Sequence, residues 1–285
     1  MSEDGPKFPT VLPTDPLKRT LLVTAGRIAR RVAPWEATKV ARGELPNDLT
    51  LWHRVLLAAT VDRAEKKGDL AALEPLHRWL WTGKQAEVFH RTARDRFTKW
   101  WLPHHSKIVE PLREVLEKNG IKTLVEVGAG NGLVLADLAK RLPKVEKLIG
   151  LDLSEAQMQA NARETTDPRF QFVGGDAGAW LPQHAGNGWA VVTNAGVFEY
   201  FPQERLQELF GFLATKRPAC ISLIEPLAEH FDPEVARPSV PYNFERSFSH
   251  PYVAMLQKAG FKIQWRQEQH IDGVRWIMMV AQAAA

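Results

Sequence analysis

The chain has 285 residues, 45% hydrophobic and 25% charged, with a net charge of +4. Those values fit a globular core, one large domain or one domain with a smaller appendage, and exclude a disordered chain. No apolar run approaches the roughly 20 residues that cross a bilayer, and a single cysteine excludes an internal disulfide. Cys220 lies in the apolar run CISLIEP and is expected in the core of a cytoplasmic protein. The first ten residues lack a basic stretch followed by an apolar one, so no secretory leader is expected. His104–His105, the one close histidine pair, has no ligand-like spacing, so no metal site is expected. Residues 1–42 hold eight basic and four acidic residues, which accounts for the whole net charge. The remainder is neutral, which argues against a nucleic-acid partner.

In chain order, residues 1–16 read as a loose, Pro-rich segment. From Leu17 a helical stripe begins, with Leu17, Leu21, Leu22, Ala25, Ile28, Ala29 and Val32 on one face. The stripe suits a helix packed on its own domain, with its arginines in water. A weak membrane-surface contact through residues 17–42 is the other reading. Residues 17–118 read as a helical N-terminal region, dense in tryptophan at positions 52, 79, 81, 100 and 101. Those rings suit a helical core or an apolar acceptor pocket. Ser106 is placed to cap a helix that Gly120 ends.

Residues 119–285 form a second region in which strands and helices alternate. TLVEV (123–127), KLIGLDL (147–153), FQFVGGD (170–176), WAVVTNAG (189–196) and ACISLIEP (219–226) read as strands. Helices are expected over 133–142, 154–164, 202–216 and 250–260, with Ser154 and Gln157 as a capping box. A closing hairpin, 261–269 and 274–282, turns at Asp272–Gly273. This alternation implies an α/β fold with a mostly parallel sheet and one antiparallel edge strand.

Three glycines at alternate positions, in VEVGAGNG (125–132), follow the first strand. A dinucleotide site needs G-x-G-x-x-G, and Leu133 stands where that pattern needs its last glycine. Glu126 would repel a pyrophosphate but suits a cation. The ligand thus looks like a nucleoside with a positive charge. The motif E-x-G-x-G-x-G resembles the first motif of the class I, Rossmann-like S-adenosylmethionine-dependent methyltransferases, and the likeness runs along residues ~121–282. The resemblance implies a seven-stranded methyltransferase sheet, an N-terminal helical extension acting as a substrate cap, and S-adenosylmethionine as cofactor.

The resemblance also implies site residues. Gly128, Ala129, Gly130 and Gly132 pass under the aminoacyl part of the cofactor, and Glu126 holds its amino end. Asp152, with Leu153, binds the ribose hydroxyls, since one carboxylate can accept from both. Asp176, with Ala177, faces the adenine amino group, and Asn194 runs beneath the methionine moiety. Taken singly, Asp152 and Asp176 also suit plain turn positions, and Asn194 suits a turn equally well.

The segment after the fourth strand lacks the Asn/Asp-Pro-Pro-aromatic pattern of base and amide N-methyltransferases. Asn194 also stands where the metal-dependent members carry an acid. A small-molecule acceptor, O-methylated with a general base, is the expectation. His250, at the start of the last helix, is the first candidate base, with Glu199 and Tyr200 beside the methyl. Glu225 and His105 are candidate acceptor contacts. In the family, added N-terminal segments also build dimer surfaces, so a homodimer is a further expectation. A same-fold protein that binds the cofactor without transferring its methyl, or an NAD-dependent oxidoreductase, is the alternative.

Overall fold

The computed structural model describes residues 12–13, 15–243 and 245–284. The loose segment expected over 1–16 lies outside them except at 12, 13, 15 and 16. The chain forms two compact units, one reaching to Arg91 and including Val240–Phe248, the other Thr92–Ser239 with the residues from Ser249 onward. Residues 92–118, read from sequence with the helical region, thus belong to the unit that holds the sheet.

The first unit is built of helices α1 (Pro16–Val32), α2 (Pro34–Ala41), α3 (Leu51–Lys67), α4 (Glu74–Thr82) and α5 (Lys84–Arg91). Asp15 starts α1 by accepting from the N–H groups of Leu17 (2.8 Å) and Lys18 (3.1 Å). Helix α3 is buried on every side from Val55 to Val61, as a central helix must be. Leu12, Leu56, Leu57, Leu76 and Phe248 share its core.

Helix α1 packs through Val23, Gly26 and Ala29. A Cβ at Gly26 would stand 1.9 Å from the Val55 carbonyl oxygen. Small residues allow this close approach, and they, not the larger apolar ones, decide which face turns inward. Within the expected stripe Ala29 is buried and Leu22 partly so, but Leu17, Leu21, Ile28 and Val32 face solvent. The expectation that this stripe is the packed face is therefore corrected.

The second unit opens with α6 (Ala93–Arg96) and a tight turn at His105–Ile108 leading into α7 (Val109–Asn119). Ser106 does not cap α7; its hydroxyl donates to the Leu102 carbonyl (2.9 Å). Gly120 ends that helix in the left-handed conformation. The alternating units follow: β1 (Thr123–Val127), α8 (Leu133–Arg141), β2 (Lys147–Asp152), α9 (Glu155–Glu164), β3 (Phe170–Gly174), α10 (Ala177–His184), β4 (Trp189–Thr193), α11 (Gln203–Ala214) and β5 (Ala219–Leu227). A short ribbon of β6 (Val240–Tyr242) and β7 (Ser247–Ser249) lies in the stretch between β5 and the last helix, for which the sequence suggested no element. Most of it belongs to the helical unit, where Phe248 packs edge-on against His77. The chain closes with α12 (Tyr252–Ala259), β8 (Lys262–Ile271) and β9 (Val274–Ala283).

The strand order is β3-β2-β1-β4-β5-β9-β8. The first five strands are parallel, and β9 runs antiparallel between β5 and β8. The antiparallel strand is thus one place in from the edge. Its side chains explain this: β9 is buried from Trp276 to Ala283, whereas β8 alternates exposed and half-buried residues as an edge strand does. The order reverses between β1 and β4, the switch point at which ligands bind beyond the strand ends in open α/β sheets.

Candidate active site

The turn after β1 is the centre of the site. Gly128, Gly130 and Gly132 take φ of +74°, +49° and +73°, a region that side chains with a Cβ rarely enter. At Gly128 space is also short, since a Cβ would meet Val197 Cγ2 at 2.5 Å. The N–H groups of Gly128 and Ala129 both donate to the Leu151 carbonyl, tying the turn to the end of β2.

Glu126 is 2% exposed, and its Oε2 has no hydrogen-bond partner. Burial first, and then the charge of Asp152, holds its carboxyl well above the usual carboxylate range; the Leu135 N–H at the start of α8 pulls the other way. An orphaned buried carboxylate oxygen is costly. A bound cation would complete it.

Asp152 is half-buried at the end of β2, accepting from the N–H groups of Gly130 (3.0 Å) and Ser154 (2.9 Å), one on each oxygen. A carboxylate oxygen can accept more than one bond, so both retain capacity. Asn161 was not foreseen. It is 6% exposed, donates to the Gly130 carbonyl (2.8 Å) and accepts from Gln157 (2.8 Å). Its signal was one polar residue among many on α9, legible only once α9 is known to face the glycine turn. Leu153 is half-buried, and Ala129 and Ala177 are buried. Asp176 caps α10 through the Ala179 N–H (2.9 Å) and pairs with Arg205.

Asn194 follows β4, and its Oδ1 lies 2.9 Å from His105 Nδ1. Two residues expected in different roles are thus joined. The His105 ring is fully buried, stands edge-on to Trp276 at 5.0 Å, and leaves Nε2 without a partner. Burial pushes the ring pKa down to about 4, against the bond to Asn194, so the imidazole is neutral at pH 7. With Asn194 Oδ1 accepting, Nδ1 carries the proton and Nε2 presents its lone pair.

His250 is placed otherwise. It is fully buried, with Nδ1 2.6 Å from the Ser239 hydroxyl and Nε2 3.1 Å from the Phe198 carbonyl oxygen. Burial lowers its pKa to about 3. Both ring nitrogens are engaged, so the ring does not face an acceptor.

Glu225 is likewise inside, with no exposed surface. It accepts from the Thr193 hydroxyl (2.7 Å), from the N–H groups of Val197 (3.0 Å), Phe198 (3.1 Å) and Glu199 (3.1 Å), and from the Tyr252 hydroxyl (3.3 Å). Burial pushes its carboxyl up to about 7 while these donors pull it down. Both oxygens only accept, which is the geometry of a carboxylate. Glu225 therefore holds the loop after β4 rather than presenting itself to a ligand. Glu199 on that loop is 5% exposed, and Tyr200 is half-buried. Trp100 and Trp101 are core residues of this unit, their indole N–H groups bonded to Asp272 (2.8 Å) and Asp137 (2.7 Å). Among the described residues no cluster of three or more His, Cys, Asp or Glu could hold a metal ion.

Fold and turn together define a Rossmann-like nucleoside-binding domain. Glu126, beside the glycine turn where a dinucleotide would put phosphates, favours a cationic ligand; Asp152 suits a ribose in either case. Residues 124–215 match the family described as "Methyltransferase domain", and the protein carries a class I S-adenosylmethionine-dependent methyltransferase domain. Magnesium protoporphyrin IX methyltransferase from Synechocystis shares the fold. Its structure with bound S-adenosylhomocysteine covers 74% of this chain and 99% of its own, at 15% identity and a TM-score of 0.51. The structure of that enzyme with bound S-adenosylmethionine covers 74% and 97%, at 15% identity and a TM-score of 0.50. No curated protein matches the sequence significantly.

Proposed function

We propose that the protein transfers a methyl group from S-adenosylmethionine to an oxygen of a small-molecule acceptor, with His105 taking up the hydroxyl proton. When bound, the cofactor supplies an electrophilic methyl on a sulfonium. Glu126 binds its amino group, Gly128 to Gly132 let the backbone approach its aminoacyl part, and Asp152 with Leu153 takes its ribose hydroxyls. Asp176 and Ala177 border the adenine, and Asn194 lies under the methionine moiety.

The observation that carries the choice of oxygen is the buried, unpartnered Nε2 of His105. A lone pair held there by Nδ1–H···Oδ1 of Asn194 needs a donor, and an acceptor hydroxyl is one. The hydroxyl proton passes to Nε2 as its oxygen bonds the methyl, and the carbon–sulfur bond electrons stay with sulfur. His250 and Glu225 act as positioning residues for the loop that carries Glu199 and Tyr200. Tyr200, the more exposed of the two, contacts the acceptor.

Titration with S-adenosylhomocysteine in a calorimeter tests the cofactor site, with marked loss expected in Asp152→Ala. Labelled methyl transfer to a panel of phenols, alcohols and amines tests the chemistry. Ethers or esters are expected as products, with transfer reduced roughly 10²-fold or more in His105→Ala and S-adenosylhomocysteine affinity retained. Methylated amines as the only products would overturn the reading.

A further inference from the structure

We propose that the helical unit docks on an anionic phospholipid bilayer through the outer face of α1 and the basic cleft beside it. Leu17, Leu21, Ile28 and Val32 are 70%, 61%, 61% and 67% exposed. Their spacing puts them on one line, about 22 Å long at 1.5 Å per residue. Trp35, at the start of α2, is 62% exposed as well. The ridge is fixed rather than detachable, because the opposite face is committed to α3 through Gly26, Arg27–Asp62 (2.9 Å) and Arg19–Glu65 (3.3 Å).

Beside the ridge, α1, α2 and α3 enclose an open cleft of about 930 Å³. Six basic side chains line it against one acid, Asp62. Asp62 is already paired with Arg27 and Lys66. Among the described residues Arg30, Arg31, Arg63 and Lys67 have no acidic partner in the structure. Arg30 has its pKa lowered, first by burial and then by the charge of Arg63. Two guanidinium groups crowded together without an acid make a place for an anion such as a lipid phosphate.

An anionic bilayer is the partner that offers an apolar layer and a plane of phosphates at one boundary. A second copy of the chain, paired ridge to ridge, would bring Arg27 and Arg31 against the same residues of its mate. A nucleic acid would use the cations and leave the ridge in water.

Flotation of the full chain with vesicles tests this without cofactor. Vesicles of phosphatidylcholine with about one-third phosphatidylglycerol should carry the protein, and phosphatidylcholine alone should not, with binding falling as salt screens the charges. Leu21→Glu with Ile28→Glu should abolish flotation, and Arg30→Glu with Arg63→Glu should weaken it roughly fivefold or more per charge. Leu21, Ile28 and Arg63 are exposed and Arg30 is half-buried at the rim of the cleft, and thermal unfolding of both double variants should match the wild type. Three results would overturn the proposal: no flotation of the folded wild type, flotation that survives loss of the ridge, or a solution dimer that the ridge variant splits.

Discussion

Two regions of the sheet unit each bury one carboxylate and one histidine, and they use them in opposite ways. At the end of β5, Glu225 has five donors and His250 has both ring nitrogens engaged. At the ends of β1 and β4, Glu126 and His105 are as deeply buried, yet each leaves one polar atom without a partner. Desolvating a polar group without replacing its hydrogen bonds costs stability. A fold that could satisfy one region could have satisfied the other. The two orphaned atoms therefore mark where a ligand is expected to complete the structure, and the satisfied region is the scaffold that holds the loop beside it.

The largest effect should come from breaking the satisfied side. Glu225→Ala strands three loop N–H groups and two hydroxyls, and loss of one partner of a buried charge costs about 3–5 kcal/mol. Urea unfolding should show that loss, and Glu225→Gln, which keeps an acceptor, should lose less. If Glu225→Ala is as stable as the wild type, the scaffold assignment is wrong.

The histidines should give the next largest effect. Both His105 and His250 have pKa values lowered in the fold, to about 4 and about 3. Their stabilisation is therefore present above the unfolded value of about 6.5 and is lost as pH falls through the folded values. By linkage each lost unit is worth about 1.4 kcal/mol. Their share of the unfolding free energy should fall from pH 6.5 toward 4, against the opposite slope of the raised carboxyls Glu126 and Glu225, so the comparison of wild type with His250→Gln reads it: the variant should lose less stability than the wild type over that window.

Glu126→Gln should separate the two regions most sharply. It leaves the apo protein as stable as the wild type or more so at neutral pH, because the ionised form is disfavoured there. It should weaken S-adenosylhomocysteine binding by roughly 10- to 100-fold, the scale of a charge-assisted hydrogen bond of 1.5–3 kcal/mol. Loss of apo stability comparable to Glu225→Ala would erase the distinction between the regions.

Much of the sheet unit was legible because its signals are local. β1 was read over its full observed length, Ser154 does accept from the Gln157 N–H (3.3 Å), although the Gln157 side chain turns to Asn161 and leaves the capping box open, and Gly260 ends α12 as expected. Other features depend on contacts distant in sequence. His250 had the right residue type and loop position for a base, but its burial against Ser239 and Phe198 follows from packing across the unit. Asn161 acts through Gly130, 31 residues away. Helix α10 was missed because AGAWLPQH carries a proline inside it and a weak apolar pattern. In the helical unit, an apolar stripe at helical spacing named the right helix and the wrong face, since Gly26 and Ala29 carry little hydrophobic signal but permit the closest approach to α3.

The smallest effect is also the most specific to the orphaned carboxylate. Burial raises the Glu126 pKa in the apo fold, so the free protein favours the protonated carboxyl more than an ordinary glutamate does. The amino group of S-adenosylhomocysteine beside it favours the ionised form, so the proton must leave as the ligand arrives. Affinity should then rise with pH, by at most tenfold per unit for one proton. Calorimetry in two buffers of different ionisation enthalpy should show proton release on binding, and Glu126→Gln should show less. The satisfied region offers no such change, because no new charge comes to Glu225. Proton release that persists unchanged in Glu126→Gln would place the titrating group elsewhere and remove the reason for assigning the cofactor's amino end to Glu126.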